Sequence, residues 1–441
     1  MNTPALPGSQ PRARWMRLGT AQILKRFHFC ERSLVLSSSA WLPHLAPIEI
    51  KTTLPLLTWQ NAETAQALRE RVFELRYPSR LMEAEGADAP LVKLFDQLRS
   101  APSAGAFLMA LGSTLLPALR DAYQAYLRYS DPLADAPTHR FLALALAEKE
   151  RQIQSVSDWA AHELACAPAH RASAQSWNEA LAGKLAGLGG VGTDHSPAEV
   201  RIEELPGSRP LDVPAKPARD SRYWPCRFYW PDNVDPTFPY GEGIRLQLRS
   251  AVSHLNEVWA IETGGIILEA FASALPWEWI RDAARWTYDE ARHCRMGRDR
   301  LAAWGFDPGE IPLGTYIYES ANGQDPIYRL GMLFFFETKN IGRKPERIAA
   351  FQCLADAASE HDMDFDWADE TIHAGYGKRW LEALLRTRGV GTDQIAPIRE
   401  HCGELVAAMV QRAMPEETGA LRARAEALIA KAEALAKSEP D

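Results

Sequence analysis

PWEWIRDAARWTYDEARHCRMGRDRLAAWG, residues 276–305, and DWADETIHAGYGKRWLEALL, residues 366–385, decide the fold. Apolar residues three and four apart mark both as helices. Each carries an E-x-x-H word, Glu290 with His293 and Glu370 with His373. Three-residue spacing puts the carboxylate and the imidazole on one helix face, where they can grip a metal together. One such word recurs by chance in a helical chain of this size; two on separate helices of one bundle are a much stronger signal. The same periodicity runs through RLQLRSAVSHLNEVWAIETGGIILEAFA (245–272) and DPIYRLGMLFFFETKN (325–340), so four long helices are expected to form a bundle.

A carboxylate-bridged dimetal site in a bundle also needs one inward Glu from each of the other two helices. Glu337 closes the run LGMLFFFE, where an uncompensated carboxylate would cost several kcal/mol to bury. On the first helix Glu262 falls near the level of Glu290 across a turn placed at Leu275, while Glu257 and Glu269 are less well placed. The expected metal set, and hence the catalytic set, is Glu262, Glu290, His293, Glu337, Glu370 and His373. Hard oxygen ligands with a few nitrogens suit iron or manganese rather than a structural zinc. The plain alternative is solvent-facing helix glutamates with two satisfied core histidines. Trp286 and Tyr288, beside Glu290, are candidates for lining the metal pocket or acting as redox-active neighbours, or for ordinary core.

Outward from this bundle, helical periodicity also covers residues 21–185. A Pro-, Gly- and aromatic-rich stretch, about 191–242, then interrupts it and reads as a connector packed on a surface. Three words recur in order: Asp158-Trp159-Ala160 with Asp366-Trp367-Ala368, W-N-E-A-L at Trp177 with W-L-E-A-L at Trp380, and GVGTD ending at Asp194 and at Asp393. Pro137 and Pro345 each stand 21 residues before the first word of their set. An internal duplication follows from this order. The expected domains are a degenerate helical repeat at 1–194, a connector at 195–243, a dimetal-binding bundle at 244–393 and a C-terminal helical extension at 394–441 that is a solvated helix or a packing arm.

In the first repeat Glu31 aligns with Glu262 and Glu63 with Glu290, but Gln66 replaces His293 and Tyr129 replaces Glu337. His162 faces Glu370, and Ala165 or His170 faces His373. Too few charged ligands remain for two cations, so this half is expected to be a decayed copy that packs against the active one. His139, His195, His254, His361 and His401 are scattered and read as surface or capping residues. The Gly-rich words lack the strand and spacing of a phosphate loop and read as helix C-caps.

Composition narrows the class. The 441 residues carry 57 acidic and 49 basic side chains, a formal charge of −8, which argues against broad phosphate-backbone binding. Six scattered cysteines without a C-x-x-C pair predict reduced thiols in a cytoplasmic protein. The N-terminus lacks the apolar core of a signal peptide, and no run approaches the roughly 18 apolar residues of a spanning helix.

The second half resembles the ferritin-like domain-of-unknown-function family numbered 455, a relative of the tRNA 2-methylthio-N6-isopentenyladenosine hydroxylases. The resemblance covers about residues 205–385. It is carried by the lead-in PGSRPLDVPAKPARD, by Trp259-Ala260-Ile261-Glu262, and above all by Asp289-Glu290-Ala291-Arg292-His293 and Asp369-Glu370-Thr371-Ile372-His373. It implies an all-α ferritin-like four-helix bundle with a non-haem di-iron centre, and carries the ligand role onto the six residues named above. Where that family's first helix has a histidine two residues before a further Glu, this chain has Leu255 before Glu257, so the resemblance gives that pair no role.

The expected function is a di-iron oxidoreductase, a dimetal-carboxylate oxidase or monooxygenase, that activates dioxygen as co-substrate to oxidise or hydroxylate a small organic molecule. Two irons are the expected cofactor, with manganese or a mixed pair as variants. No flavin, nicotinamide or haem motif is present, so electrons are expected from a separate reductase or ferredoxin, or from the substrate. A homodimer is compatible with this reading; a membrane is not an expected partner. Three rivals stand beside it: a tRNA-modifying hydroxylase, a rubrerythrin- or ferritin-type iron or peroxide handling protein, and a non-catalytic metal-stabilised scaffold.

Overall fold

The computed structural model describes residues 11–192 and 202–438, so His195 and the end of the first GVGTD word, Thr193 and Asp194, lie outside the described residues. Those residues are mostly helical, with one two-stranded parallel ladder pairing Trp224–Pro225 with Pro312–Leu313. No described helix is long and apolar enough to cross a membrane, and all six cysteines are free thiols.

The chain divides into two compact units. The first takes the chain up to Ser37 together with Trp59–Leu211; the second takes Ser38–Thr58 and everything from Asp212. In the first unit run α1 (Arg17–Trp41), α2 (Ile48–Glu74), α3 (Ala104–Ala110 and Leu116–Tyr129, joined by a π turn at Leu111–Leu115), α4 (Ala136–Cys166) and α5 (Arg171–Gly187). The ends of α1 and α2, with the turn that joins them, belong to the second unit. Phe27, Leu34, Leu68, Phe107, Leu119 and Val156 are among the fully buried residues of the first unit. His28 is buried with them, and its Nδ1 lies 2.9 Å from the Ala65 carbonyl.

Burial, the largest influence on His28, drags its pKa down to about 3 from an ordinary 6.5. Between those values the unfolded chain binds a proton that the folded chain refuses, so this histidine subtracts stability as pH falls from 6.5 toward 3. His28→Gln is expected to make that acid limb shallower. Denaturant titrations of both proteins across that range check it, and parallel limbs would contradict it.

The second unit holds α6 (Ile244–Asn256), α7 (Val258–Phe271), α8 (Trp277–Ala303), α9 (Pro326–Asn340), α10 (Lys344–Cys353), α11 (Ala357–Thr387), α12 (Ile395–Val410) and α13 (Pro415–Ser438). α8 packs on α6 and α7, α9 on α7 and α11, and α11 on α8. The two E-x-x-H helices stop in the same way. Gly305 and Gly389 take φ of 79° and 69° just past the ends. The bonds Phe306 N–H to Leu301 C=O and Val390 N–H to Leu385 C=O, at 3.0 and 2.9 Å, close a Schellman turn on each. α9 starts at Asp325, whose carboxylate accepts from Ile327 N–H ahead of Pro326. α11 starts at Asp356, which accepts from Ser359 N–H.

Gly297 sets the spacing of α8 and α6. A Cβ there would lie 2.4 Å from both the Ala251 carbonyl and the Leu255 nitrogen, so only glycine allows this crossing. The connector is packed as its aromatics suggest, with Tyr223, Phe228, Tyr229 and Trp230 buried. The C-terminal helices pack as well: α12 lies on α9, and α13 buries Leu421, Ala425, Leu428 and Ile429.

Candidate metal centre

Three overlapping groups of side chains converge inside the second unit: Glu257, Glu290 and His293; Glu290, Glu337 and His373; His293, Asp366 and Glu370. Within each group the donor atoms lie within 4.8 Å of one another. α8 supplies Glu290 and His293 from one face, and α11 supplies Asp366, Glu370 and His373 from another. α9 supplies Glu337. Glu257 sits where α6 breaks from α7, at ψ −2°, and that break turns its carboxylate inward. All are buried except Glu257, whose side chain is 20% exposed and so opens the group to the outside.

The two D-E-x-x-H words brace each other. His293 Nε2 lies 3.2 Å from Asp369, and His373 Nε2 lies 3.4 Å from Asp289. Arg285 holds Asp289 through 2.8 Å bonds, and Arg292 reaches both Asp289 and Asp369. With each Nε2–H given to an aspartate, each Nδ1 points at carboxylates: 3.4 Å from Glu257 for His293, 3.2 Å from Glu290 for His373. Neither Nδ1 makes a hydrogen bond, nor do Glu257 Oε2 and Asp366 Oδ1. Acceptor faces acceptor, which requires a proton or a metal cation between them.

The electrostatics agree. Burial, then the charges of Glu370 and Glu290, push the Glu337 carboxyl well above its ordinary range. Burial also raises Glu257 and Glu370. It raises Glu290 too, but the imidazoles of His293 and His373 outweigh it and hold that group low. For His373 burial works against the proton, yet Asp289 and Glu290 lift it to about 9. Lys344 pairs with Asp366 and approaches Glu370 to 4.0 Å. Against it stand five carboxylates, so the cluster is short of positive charge. These buried acidic and imidazole groups could hold a metal ion.

Of the six residues expected from sequence, Glu290, His293, Glu337, Glu370 and His373 come together. Glu262 does not. It is fully buried and its carboxylate is taken by Lys51 and Arg219. Glu257, set aside at first, stands in the cluster instead. Five residues of helix rotate the chain by about 140°, so the two glutamates face different ways. Counted outward from the middle of the actual turn, between Phe271 and Trp277, position 258 stands level with Glu290, and that would have favoured Glu257. Glu269 is partly exposed and outside the three groups.

Asp366, Asp289 and Asp369 were also missed; the Asp preceding Glu in both words was the available signal for the last two. Trp286 lines the site, its Nε1–H donating to Glu290 at 3.0 Å and Glu337 at 3.3 Å. Tyr288 lies against Arg292. His254 is neither a surface nor a capping residue. It is buried, accepts from Arg300 at 2.5 Å and passes its Nε2–H to Asp366 at 3.1 Å.

The first unit handles its buried charge differently. Glu31 meets Lys149 at 2.8 Å and accepts from the Tyr123 hydroxyl at 2.5 Å, and Lys149 also donates to Asn61 and Gln152. An ammonium thus supplies the cation inside that unit. Glu63 is half-buried, His162 and His170 are exposed, Gln66 pairs with Glu70, and Tyr129 is exposed. Among the described residues this unit gathers no group of three metal-ligating side chains.

A cavity of about 600 Å³ in the second unit reaches Glu257, Glu290, Glu337 and Glu370, with Trp259 and Phe336 on its wall. No curated protein and no solved structure matches the chain. Residues 199–433, just over half of the chain and all of the segment bearing the cluster, match one family. The chain belongs to the family described as protein of unknown function (DUF455).

Proposed function

We propose that the second unit is a ferritin-like dimetal-carboxylate centre, and that the chain is a non-haem oxidoreductase that uses dioxygen to oxidise or hydroxylate a small organic substrate. The observation that carries this reading is the pair of buried, unpartnered Nδ1 atoms of His293 and His373 facing a shared set of glutamates. Glu257, Glu290 and His293 would hold one ion and Glu290, Glu337 and His373 the other, with Glu370 and Asp366 beside His293. Bound iron or manganese would supply the reduction of dioxygen, which no side chain here can perform.

The chain's own residues do the rest. Asp289 and Asp369 fix the imidazoles so that Nδ1 is the donor atom. Trp286 orients Glu290 and Glu337 by donating to both. Trp259 and Phe336, with ring centroids 5.2 Å apart, put an apolar surface beside the acidic floor. Electrons would come from an external reductase or ferredoxin. Anaerobic ferrous loading followed by exposure to air is expected to give oxygen uptake stoichiometric with the bound iron. Two bound irons with no uptake would contradict the oxidoreductase reading and leave a metal-stabilised scaffold.

A further inference from the structure

The cavity has two ends of opposite charge. Its floor is the carboxylate cluster. Its mouth carries Lys339, Arg343 and Arg347, spaced four apart along α9, a short 3₁₀ turn and α10. Lys344, which also lines the cavity, is spent on Asp366. The other three are not: among the described ion pairs none of them has a carboxylate within 4.0 Å, although Lys339 lies over Phe335 and Arg347 over Tyr240. In a chain of net charge −8, three unneutralised cations at one opening are a local exception. The lining also brings together an apolar set, Trp259, Phe335, Phe336, and Val406 and Val410 of α12, beside polar residues that include Ser250, Ser253 and the Asp232–Arg249 pair.

We propose that the mouth is an anion subsite, and that the substrate is a small amphiphile with a carboxylate or phosphate head and an apolar body. The substrate role rests on the oxidoreductase reading; the anion binding does not. Electrostatics fix the orientation. The basic mouth holds the anion, so the apolar end is the part presented to the metal centre. Lys339, Arg343 and Arg347 are positioning residues, since they touch the head and not the reacting atoms.

The test uses the full chain and two probes with one aromatic body, 1-anilinonaphthalene-8-sulfonate and its uncharged analogue N-phenyl-1-naphthylamine. The anionic probe is expected to bind about tenfold or more tighter, the difference that charge-assisted hydrogen bonds supply. The combined variant Lys339→Ala, Arg343→Ala, Arg347→Ala is expected to abolish that preference while leaving the affinity for the uncharged probe and the metal content unchanged. Displacement by octyl phosphate more than by octanoate assigns a phosphate head, and the reverse a carboxylate.

Equal affinity for both probes, or a preference that survives in the variant, overturns the proposal. So does displacement by a single-stranded oligonucleotide at far lower concentration than by either amphiphile, which would make the mouth a nucleic-acid contact. Because the preference is read in metal-free and metal-loaded protein alike, a wild-type chain that binds metal but shows no preference sinks the subsite alone. Absent metal with the preference intact sinks only the dimetal reading.

Discussion

Replacing Glu262 with leucine is expected to destabilise the protein by about 3–5 kcal/mol while leaving its metal content unchanged. Glu262 is fully buried and takes both Lys51 and Arg219. Lys51 is itself buried, and burial already lowers its ammonium to about 8 against the opposing pull of Glu262. Without the carboxylate two cations would face each other in a dry interior, with, among the described residues, the Ala218 and Gly314 carbonyls left to receive them. An orphaned buried charge costs far more than the intact pair gains. Glu262→Leu combined with Lys51→Met is therefore expected to recover part of the loss. Denaturant unfolding gives the stability and elemental analysis the metal. Loss of metal in Glu262→Leu would restore that glutamate to the ligand set and displace Glu257 from it.

The second large effect is the reverse, with metal lost and the fold kept. His373→Ala removes a buried donor shared with Glu290 and Glu337 and is expected to cost at least one metal per chain. Gln66→Ala, at the position of the first unit that the sequence words align with His293, is expected to cost none. Glu290→Ala should be more severe than His373→Ala, because Glu290 belongs to two of the three groups. Asp289→Asn leaves every ligand in place but weakens the brace on His373, a change worth about 10–100-fold in metal affinity. Equal metal loss in His373→Ala and Gln66→Ala would mean that the two halves of the chain are assigned to the wrong roles.

The helical fold and most of the cluster were legible because their signals are local. A three-residue spacing fixes Glu290 with His293 and Glu370 with His373 on single faces, whatever else the chain does. Glu337 was legible from cost, since no carboxylate sits beside three phenylalanines without compensation. Glu262 and Glu257 were not separable by those means. Their faces depend on a helix break at Glu257, and their environments depend on Lys51 and Arg219, which stand 211 and 43 residues away in sequence.

The same distance effect hid the role of His254, whose partners Asp366 and Arg300 come from other helices. In the first unit the repeat set Glu31 against Glu262, but nothing singled out Lys149. A lysine at helical spacing carries no mark of being the internal cation until Asn61, Tyr123 and Gln152 are seen around it.

The most direct test of the dimetal centre is metal content per chain, by elemental analysis of protein produced with iron and, separately, with manganese, beside the optical spectrum after air exposure. The proposed reading predicts about two metals per chain and, for iron, a near-ultraviolet absorption of an oxo-bridged ferric pair. Near-zero metal under both conditions would contradict it and leave Glu257, Glu290, His293, Glu337, Glu370 and His373 as a protonated polar core.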